Sequence, residues 1–205
     1  MARRTKRIPV RDEFLIVTNG KRSEKDYFEI LRSKIKSIFK IKVKFLNGDP
    51  EAIVDFAVKE KSESNRVWCV FDKDEFSNDS IYHAIAVAKK NSVGVAFSNA
   101  AFEVWLIDHF CCFDAEKSAP ELFDILDELL KKEGYDKGYS KNDTELIRTF
   151  FIPRLRSALE NADIVYQRRA AEYGLTGKPI NNLPVCSWNS YTDVHKLITA
   201  LKADI

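Results

Sequence analysis

The sequence predicts an α/β fold: a parallel sheet of about four strands flanked by helices, with a helical C-terminal extension. Three observations carry this. Short β-prone runs alternate with helix-periodic stretches over roughly the first 110 residues, the order that builds right-handed crossovers. The run Val67-Trp68-Cys69-Val70-Phe71 is apolar throughout, as a strand covered on both faces must be. Beyond that unit the pattern turns helical.

Taken in order, Glu13 to Thr18 reads as a first strand, closed by the turn signal Asn19-Gly20. Ser23 is the expected N-cap of a helix whose apolar face is marked by Tyr27, Phe28, Leu31, Ile35, Ile38 and Phe39. Val43 to Leu46 forms a second strand, and Asp49-Pro50 opens a helix to about Glu63, with proline at the first helical position. The third strand is the apolar run at Val67. Ser77-Asn78-Asp79 caps a helix near Ser80 to Lys90, and Val93 to Phe97 is the fourth strand. Helices are expected over Ala101 to Phe110, with Ser98 and Asn99 as its cap, over Glu121 to Lys132, and from Thr144 onward. Pro153 should break or restart the last of these. A Gly/Tyr loop spans Gly134 to Ser140, and a Gly/Pro/Asn-rich connection (Gly174 to Pro184) precedes a final helix near Thr192 to Lys202. The expected divisions are a basic arm over 1–11, an α/β core over 12–112 and a helical portion over 113–205 packed on the core.

Composition narrows the function classes. The 205 residues are 45% hydrophobic, enough for a packed core, and 33 Lys+Arg against 31 Asp+Glu name no partner by bulk charge. The distribution is more pointed: Arg3, Arg4, Lys6, Arg7 and Arg11 form the arm, and five lysines lie between Lys34 and Lys44. Such clusters suit phosphate backbones, and equally a solvated tail and helix face. The four cysteines (Cys69, Cys111, Cys112 and Cys186) form no C-x-x-C pair, which fits reduced thiols and a cytoplasmic setting. With only three histidines and none at ligand spacing to a cysteine pair, zinc is not expected. Neither a leader nor a run of membrane-spanning length is seen, so no membrane partner is expected.

The chemistry concentrates where strands end. Asp72 and Asp74 follow the apolar strand at i, i+2, the spacing that shares one strand face, and in open α/β sheets ligands gather at that carboxyl edge. Two carboxylates there suit a hard cation, since magnesium takes one or two protein carboxylates and leaves room for phosphate and water. The plainer alternative is an Asp-rich turn capping the next helix. At the end of the first strand, Asn19-Gly20-Lys21-Arg22-Ser23-Glu24 offers backbone N–H groups at a helix start, two cations for phosphate and one carboxylate. With Lys73, between the two aspartates, Asn19, Gly20, Lys21 and Arg22 form the candidate substrate-binding set. Glu103 lies one turn into an apolar helix at the same edge, Glu75 is a further acidic candidate, and His109 reads as a satisfied interface histidine.

These segments resemble one family. Asn19-Gly20-x-x-Ser23-Glu24-x-x-Tyr27-Phe28, Phe71-Asp72-Lys73-Asp74-Glu75 and Ser98-Asn99-x-x-Phe102-Glu103-x-Trp105-Leu106-x-x-His109-Phe110 look like the RloB-like family, as does Trp188-Asn189-x-x-Thr192-x-Val194-x-Lys196-Leu197 near the end. The resemblance implies a Toprim/Rossmann-like core, as in topoisomerases, primases and overcoming-lysogenization-defect nucleases. It implies a place in bacterial or archaeal anti-phage systems, commonly beside an ATPase of the AAA/ABC type. Asp72 and Asp74 match the family's Mg²⁺ (or Mn²⁺) pair, and Glu24 matches its Thr-Glu glutamate. Catalysis would then rest on Glu24, Asp72, Asp74 and Glu103, with metal on Asp72, Asp74 and Glu24. One position departs: the family usually reads Glu-Gly where this chain has Asn19-Gly20, and asparagine is neither a general base nor a strong metal ligand.

Two functions follow. One is a metal-dependent phosphodiesterase that cuts DNA or RNA as a defence effector. The other is a catalytically weakened Toprim module that binds nucleic acid or an ATPase partner without cutting. A receiver-like domain is a third reading, but the phosphoacceptor and downstream lysine it requires are not evident.

Overall fold

In the computed structural model, which describes residues 12–73, 76–178 and 183–204, strand β1 (Glu13–Thr18) lies between β3 (Lys40–Phe45) and β4 (Asn65–Asp72). The strand β5 (Gly94–Asn99) follows β4, and all three pairings are parallel. A fifth strand, β6 (Tyr191–Thr192), closes the sheet antiparallel to the end of β5, giving the order β3-β1-β4-β5-β6. The fold is thus α/β as expected, with one strand more than the sequence announced. Two residues are too few to show a period, which is why β6 was not legible. A separate pair joins β2 (Lys36–Ser37) to β7 (Ala203–Asp204).

Both faces of the sheet are covered. Phe14, Ile16, Val70 and Ala96 enter one core with helices α1 (Ser23–Lys34), α4 (Glu103–Asp108), α5 (Ala119–Lys132) and α8 (Val194–Ala200). Leu15, Val17, Cys69, Phe71 and Phe97 enter the other, with α2 (Pro50–Glu60), α3 (Asn78–Lys90) and the end of α7 (Leu155–Glu172). The unbroken apolar run of β4 is explained by this double burial, which raises the Cys69 thiol to about 12. Asp49 caps α2 by accepting from Ala52 N at 2.8 Å, and Ser77 caps α3 through Ser80 N.

Several local expectations need correction. Helix α1 stops at Lys34, short of Phe39, because Phe39, Ile41, Val43 and Phe45 alternate with Lys40, Lys42 and Lys44, a strand period rather than a helical one. Ile38 is accordingly exposed. Ser23 is the first helical residue of α1, whose N-cap is Arg22 without a side-chain bond. Ser98 and Asn99 do not cap α4. They end β5, where Ser98 Oγ meets Thr192 Oγ1 at 3.0 Å and Asn99 Nδ2 donates to Cys186 O at 3.0 Å. The last helix starts at Val194 rather than Thr192.

The C-terminal helices add to the two cores on the sheet's faces. Helix α4 packs against α5 and α7. Leu122, Leu126 and Leu130 of α5 recur every fourth residue and are fully buried, each contributing about 2 kcal/mol of hydrophobic stabilisation. Before α7 the chain passes through α6 (Thr144–Leu146), a π turn (Ile147–Phe151) and a 3₁₀ turn (Ile152–Arg154). Pro153 sits in that last turn, where its missing N–H interrupts the helical ladder.

Candidate functional site

The ends of β1, β4 and β5 bring the motifs together. Asn19 N donates to Val70 O at 3.2 Å and Lys73 N to Ser98 O at 2.8 Å, so the three chain turns leave the sheet side by side. Thr18 Oγ1 donates to Gly20 O at 3.1 Å and holds the first turn. There a cleft of about 250 Å³ is lined by Asn19, Gly20, Lys21, Arg22, Glu24 and Asp72, with Lys141 at its border.

Glu24 is buried and folds back over the turn: a Cβ on Gly20 would lie 1.6 Å from Glu24 Oε2. Any side chain at this position would displace the Glu24 carboxylate. The Phe102 backbone N–H favours the charged form of Asp72. Burial, and then the Glu24 and Glu103 charges, push the Asp72 carboxyl well above its ordinary range. Glu103 is fully buried at the start of α4. Asp72 Oδ1 and Glu103 Oε2 are both buried without a hydrogen-bond partner among the described residues.

Compensation comes from the loop between α5 and α6. The Tyr139 hydroxyl donates to Glu103 Oε1 at 2.8 Å, and Lys141 Nζ stands 3.2 Å from the same oxygen. The Asp127 carboxylate on α5 accepts from Tyr139 N, and Gly138 has φ of 78°, which a side chain would oppose. Ser23 Oγ meets the Tyr139 hydroxyl at 3.4 Å. Burial alone would lower the Lys141 ammonium, but Glu103, Glu24 and Asp72 outweigh it and raise it.

Of the sequence candidates, Asn19, Gly20, Lys21, Arg22, Glu24 and Asp72 share the cleft, and Glu103 stands behind Asp72. Lys73 turns away from the cleft: its ammonium bonds Phe76 O and closes its own turn. Asp74 and Glu75 lie outside the described residues, as does the basic arm. Tyr139 and Lys141 were missed. The Gly/Tyr loop was visible in sequence, but nothing local ties it to Glu103, 36 residues earlier. His109 is a satisfied core histidine as expected, with Nδ1 donating to Trp105 O at 2.9 Å and Nε2 accepting from the Tyr27 hydroxyl at 3.0 Å. Within the lysine cluster Lys42 pairs with Glu13 and Lys44 with Glu60, while Arg154 pairs with Glu133 and Arg168 with Asp114.

Among the described residues no three His, Cys, Asp or Glu side chains converge on one metal position. The donor chemistry nevertheless fits a hard divalent cation: three neighbouring carboxylates, two oxygens without partners, and no thiol or imidazole. Magnesium is commonly held by one or two carboxylates together with phosphate and water.

A sequence model described as RloB-like protein matches residues 14–201. No curated protein and no solved structure matches the chain. Among the described residues no helix is long and apolar enough to cross a membrane.

Proposed function

The chain belongs to the RloB-like family over residues 14–201, and from that premise we propose that it is a Mg²⁺- or Mn²⁺-dependent phosphodiesterase that cuts DNA or RNA. Its setting in this reading is a bacterial or archaeal anti-phage system, with an AAA/ABC-type ATPase as partner. The carrying observation is the buried Asp72, whose Oδ1 has no hydrogen-bond partner among the described residues and which stands beside Glu24 and Glu103 with only Lys141 to offset the three charges. Buried acids without partners are costly unless a cation meets them.

Asp72 and Glu24 would hold the metal, with Asp74 as the further ligand implied by the family motif. When bound, the metal supplies an activated water and neutralises charge on the phosphate. The chain's own groups do the rest. Lys21 and Arg22 are exposed at the cleft mouth, form no ion pair among the described residues, and are placed to grip a phosphodiester. The N-terminus of α1 adds its positive end to that grip. Tyr139 and Lys141 hold Glu103 in place, which fixes the field felt by Asp72.

Cleavage of single- and double-stranded DNA and RNA with Mg²⁺ or Mn²⁺ tests this. Asp72→Asn is expected to lose at least about a hundredfold in rate with its fold intact. Equal rates in Asp72→Asn and wild type would refute the site. One observation favours a second reading, a binding module that no longer cuts: Asn19 lines the cleft where the family usually has glutamate. A cleavage activity that appears only in Asn19→Glu would establish that second reading.

A further inference from the structure

A cleft of about 440 Å³, larger than the acidic one, opens at the opposite edge of the sheet, where β4 and β5 begin. Its wall includes the Trp68 indole. Trp68 is in register with Gly94, and a Cβ on Gly94 would lie 2.3 Å from two atoms of the indole. Glycine there is what lets the ring rest against the β5 backbone. Strand β6 pairs with Ser98 and Asn99, so among the described residues Gly94 and Val95 have no strand partner on that side, and they line the cleft. Of the chain's 3 tryptophans, Trp105 and Trp188 are fully buried, and Trp68 alone is partly exposed.

Cations border this indole. Arg66 is exposed, and its guanidinium lies 5.0 Å from the centre of the Phe39 ring. That stacking orders the group, yet among the described residues the Arg66 side chain makes no hydrogen bond or ion pair, and its planar N–H fork stays available. Lys61 donates to Ser62 O at 3.1 Å and Asn65 O at 2.8 Å, and among the described residues it meets no carboxylate. Lys196 is already neutralised by Asp193 at 2.5 Å and adds no net charge. The cleft thus joins a flat apolar surface to two uncompensated cations, at a volume ordinary for a small-molecule site.

We propose that this cleft binds a nucleoside phosphate, with the base against Trp68 and the phosphate on Arg66 and Lys61. Aromatic rings take any base by stacking, and guanidinium takes phosphate in a two-pronged contact. The ligand is either a free nucleotide or the terminal nucleotide of a strand. The site does not rest on the acidic cleft: the strand from Arg66 to Asp72 spans roughly 20 Å of extended chain.

The test uses the full chain in EDTA, with AMP, inorganic phosphate and a 5′-phosphorylated oligothymidine as probes. AMP is expected to quench tryptophan emission saturably, because Trp68 is the accessible indole. Arg66→Ala with Lys61→Ala should weaken AMP about tenfold or more while melting stays unchanged. Trp68→Phe should abolish the quench, with AMP binding still measurable by calorimetry. Displacement of the oligonucleotide by AMP identifies the strand end as a ligand, and binding of AMP alone identifies a free nucleotide. The proposal is overturned by no saturable binding up to about 1 mM AMP. Phosphate binding as tightly as AMP would also overturn it, as would loss of AMP binding in Asp72→Asn.

Discussion

Lys141 Nζ stands 3.2 Å from Glu103 Oε1, so a half-exposed lysine of the C-terminal portion neutralises a fully buried carboxylate of the α/β core. Its charge also reaches Glu24 and Asp72. The ammonium therefore occupies, in part, the electrostatic position that a divalent cation takes in the proposed reaction. Lysine and metal then compete for one field.

Replacing Lys141 by methionine keeps the apolar stem and removes the charge. Without metal, the variant should lose about 1–2 kcal/mol of stability, less than for a fully buried pair because Lys141 is half exposed. Mn²⁺ should then raise its melting temperature more than it raises that of wild type. Melting in EDTA and in about 1 mM Mn²⁺ reads both, with the gain set by ligand concentration over Kd. An unchanged melting temperature in EDTA together with an unchanged Mn²⁺ shift would separate Lys141 from the site.

Gly20→Ala should act on Glu24. The added Cβ would lie 1.6 Å from Glu24 Oε2, so the carboxylate must swing out of the cleft. The expected cost is about 1–3 kcal/mol, with weaker Mn²⁺ binding by calorimetry. Adding Glu24→Ala to Gly20→Ala should relieve the clash, making the pair of substitutions clearly non-additive in stability. Additive costs would show that the two residues do not meet.

This geometry separates what the sequence shows from what it hides. Strand β4 was legible because a strand buried on both faces leaves a continuous apolar run, and Asp49-Pro50 and Ser77 marked two helix starts by capping. Asn19 to Glu24 and Asp72 were legible as a cluster because parallel strands deliver their carboxyl ends to one edge. Tyr139 and Lys141 were hidden. Their link to Glu103 depends on how α5 packs against α4, and on the Asp127 contact to Tyr139 N, neither of which leaves a local pattern. Ser98 and Asn99 misled for a related reason: Ser and Asn before a helix usually cap it, but here the β6 and 183–188 segments claim their side chains.

His109 should set the acid limit of stability. Burial lowers its pKa to about 3, against an ordinary 6.5. A depressed basic group contributes stability that is complete above pH 6.5 and lost as pH falls towards 3. His195, lowered to about 4 mainly by burial, has the same sign. Between pH 6.5 and 4 the His109 contribution alone should fall by about 3 kcal/mol. In His109→Gln the decline over that window should be shallower, whatever its absolute stability, as urea midpoints in a pH series would show. Parallel slopes in the variant and wild type would exclude His109 as the cause.

Asp108, the neighbouring residue, acts with the opposite sign. It is almost fully buried, its Oδ1 has no partner among the described residues, and burial raises its carboxyl well above 3.8. A raised acid contributes stability that is complete below pH 3.8 and lost as pH climbs through the higher folded value. At neutral pH wild type therefore holds either a buried charge or a proton taken up at a cost. Asp108→Asn keeps the shape and removes that cost, so it should be more stable than wild type at pH 7 by about 1–3 kcal/mol. The advantage should shrink towards nothing as pH falls to about 4, close to the 3.8 of the unfolded carboxyl, where folding no longer takes up most of a proton. Chemical denaturation at pH 7 and pH 4 decides it. A stabilisation of equal size at both values would mean that packing, and not the buried charge, is what the substitution changes.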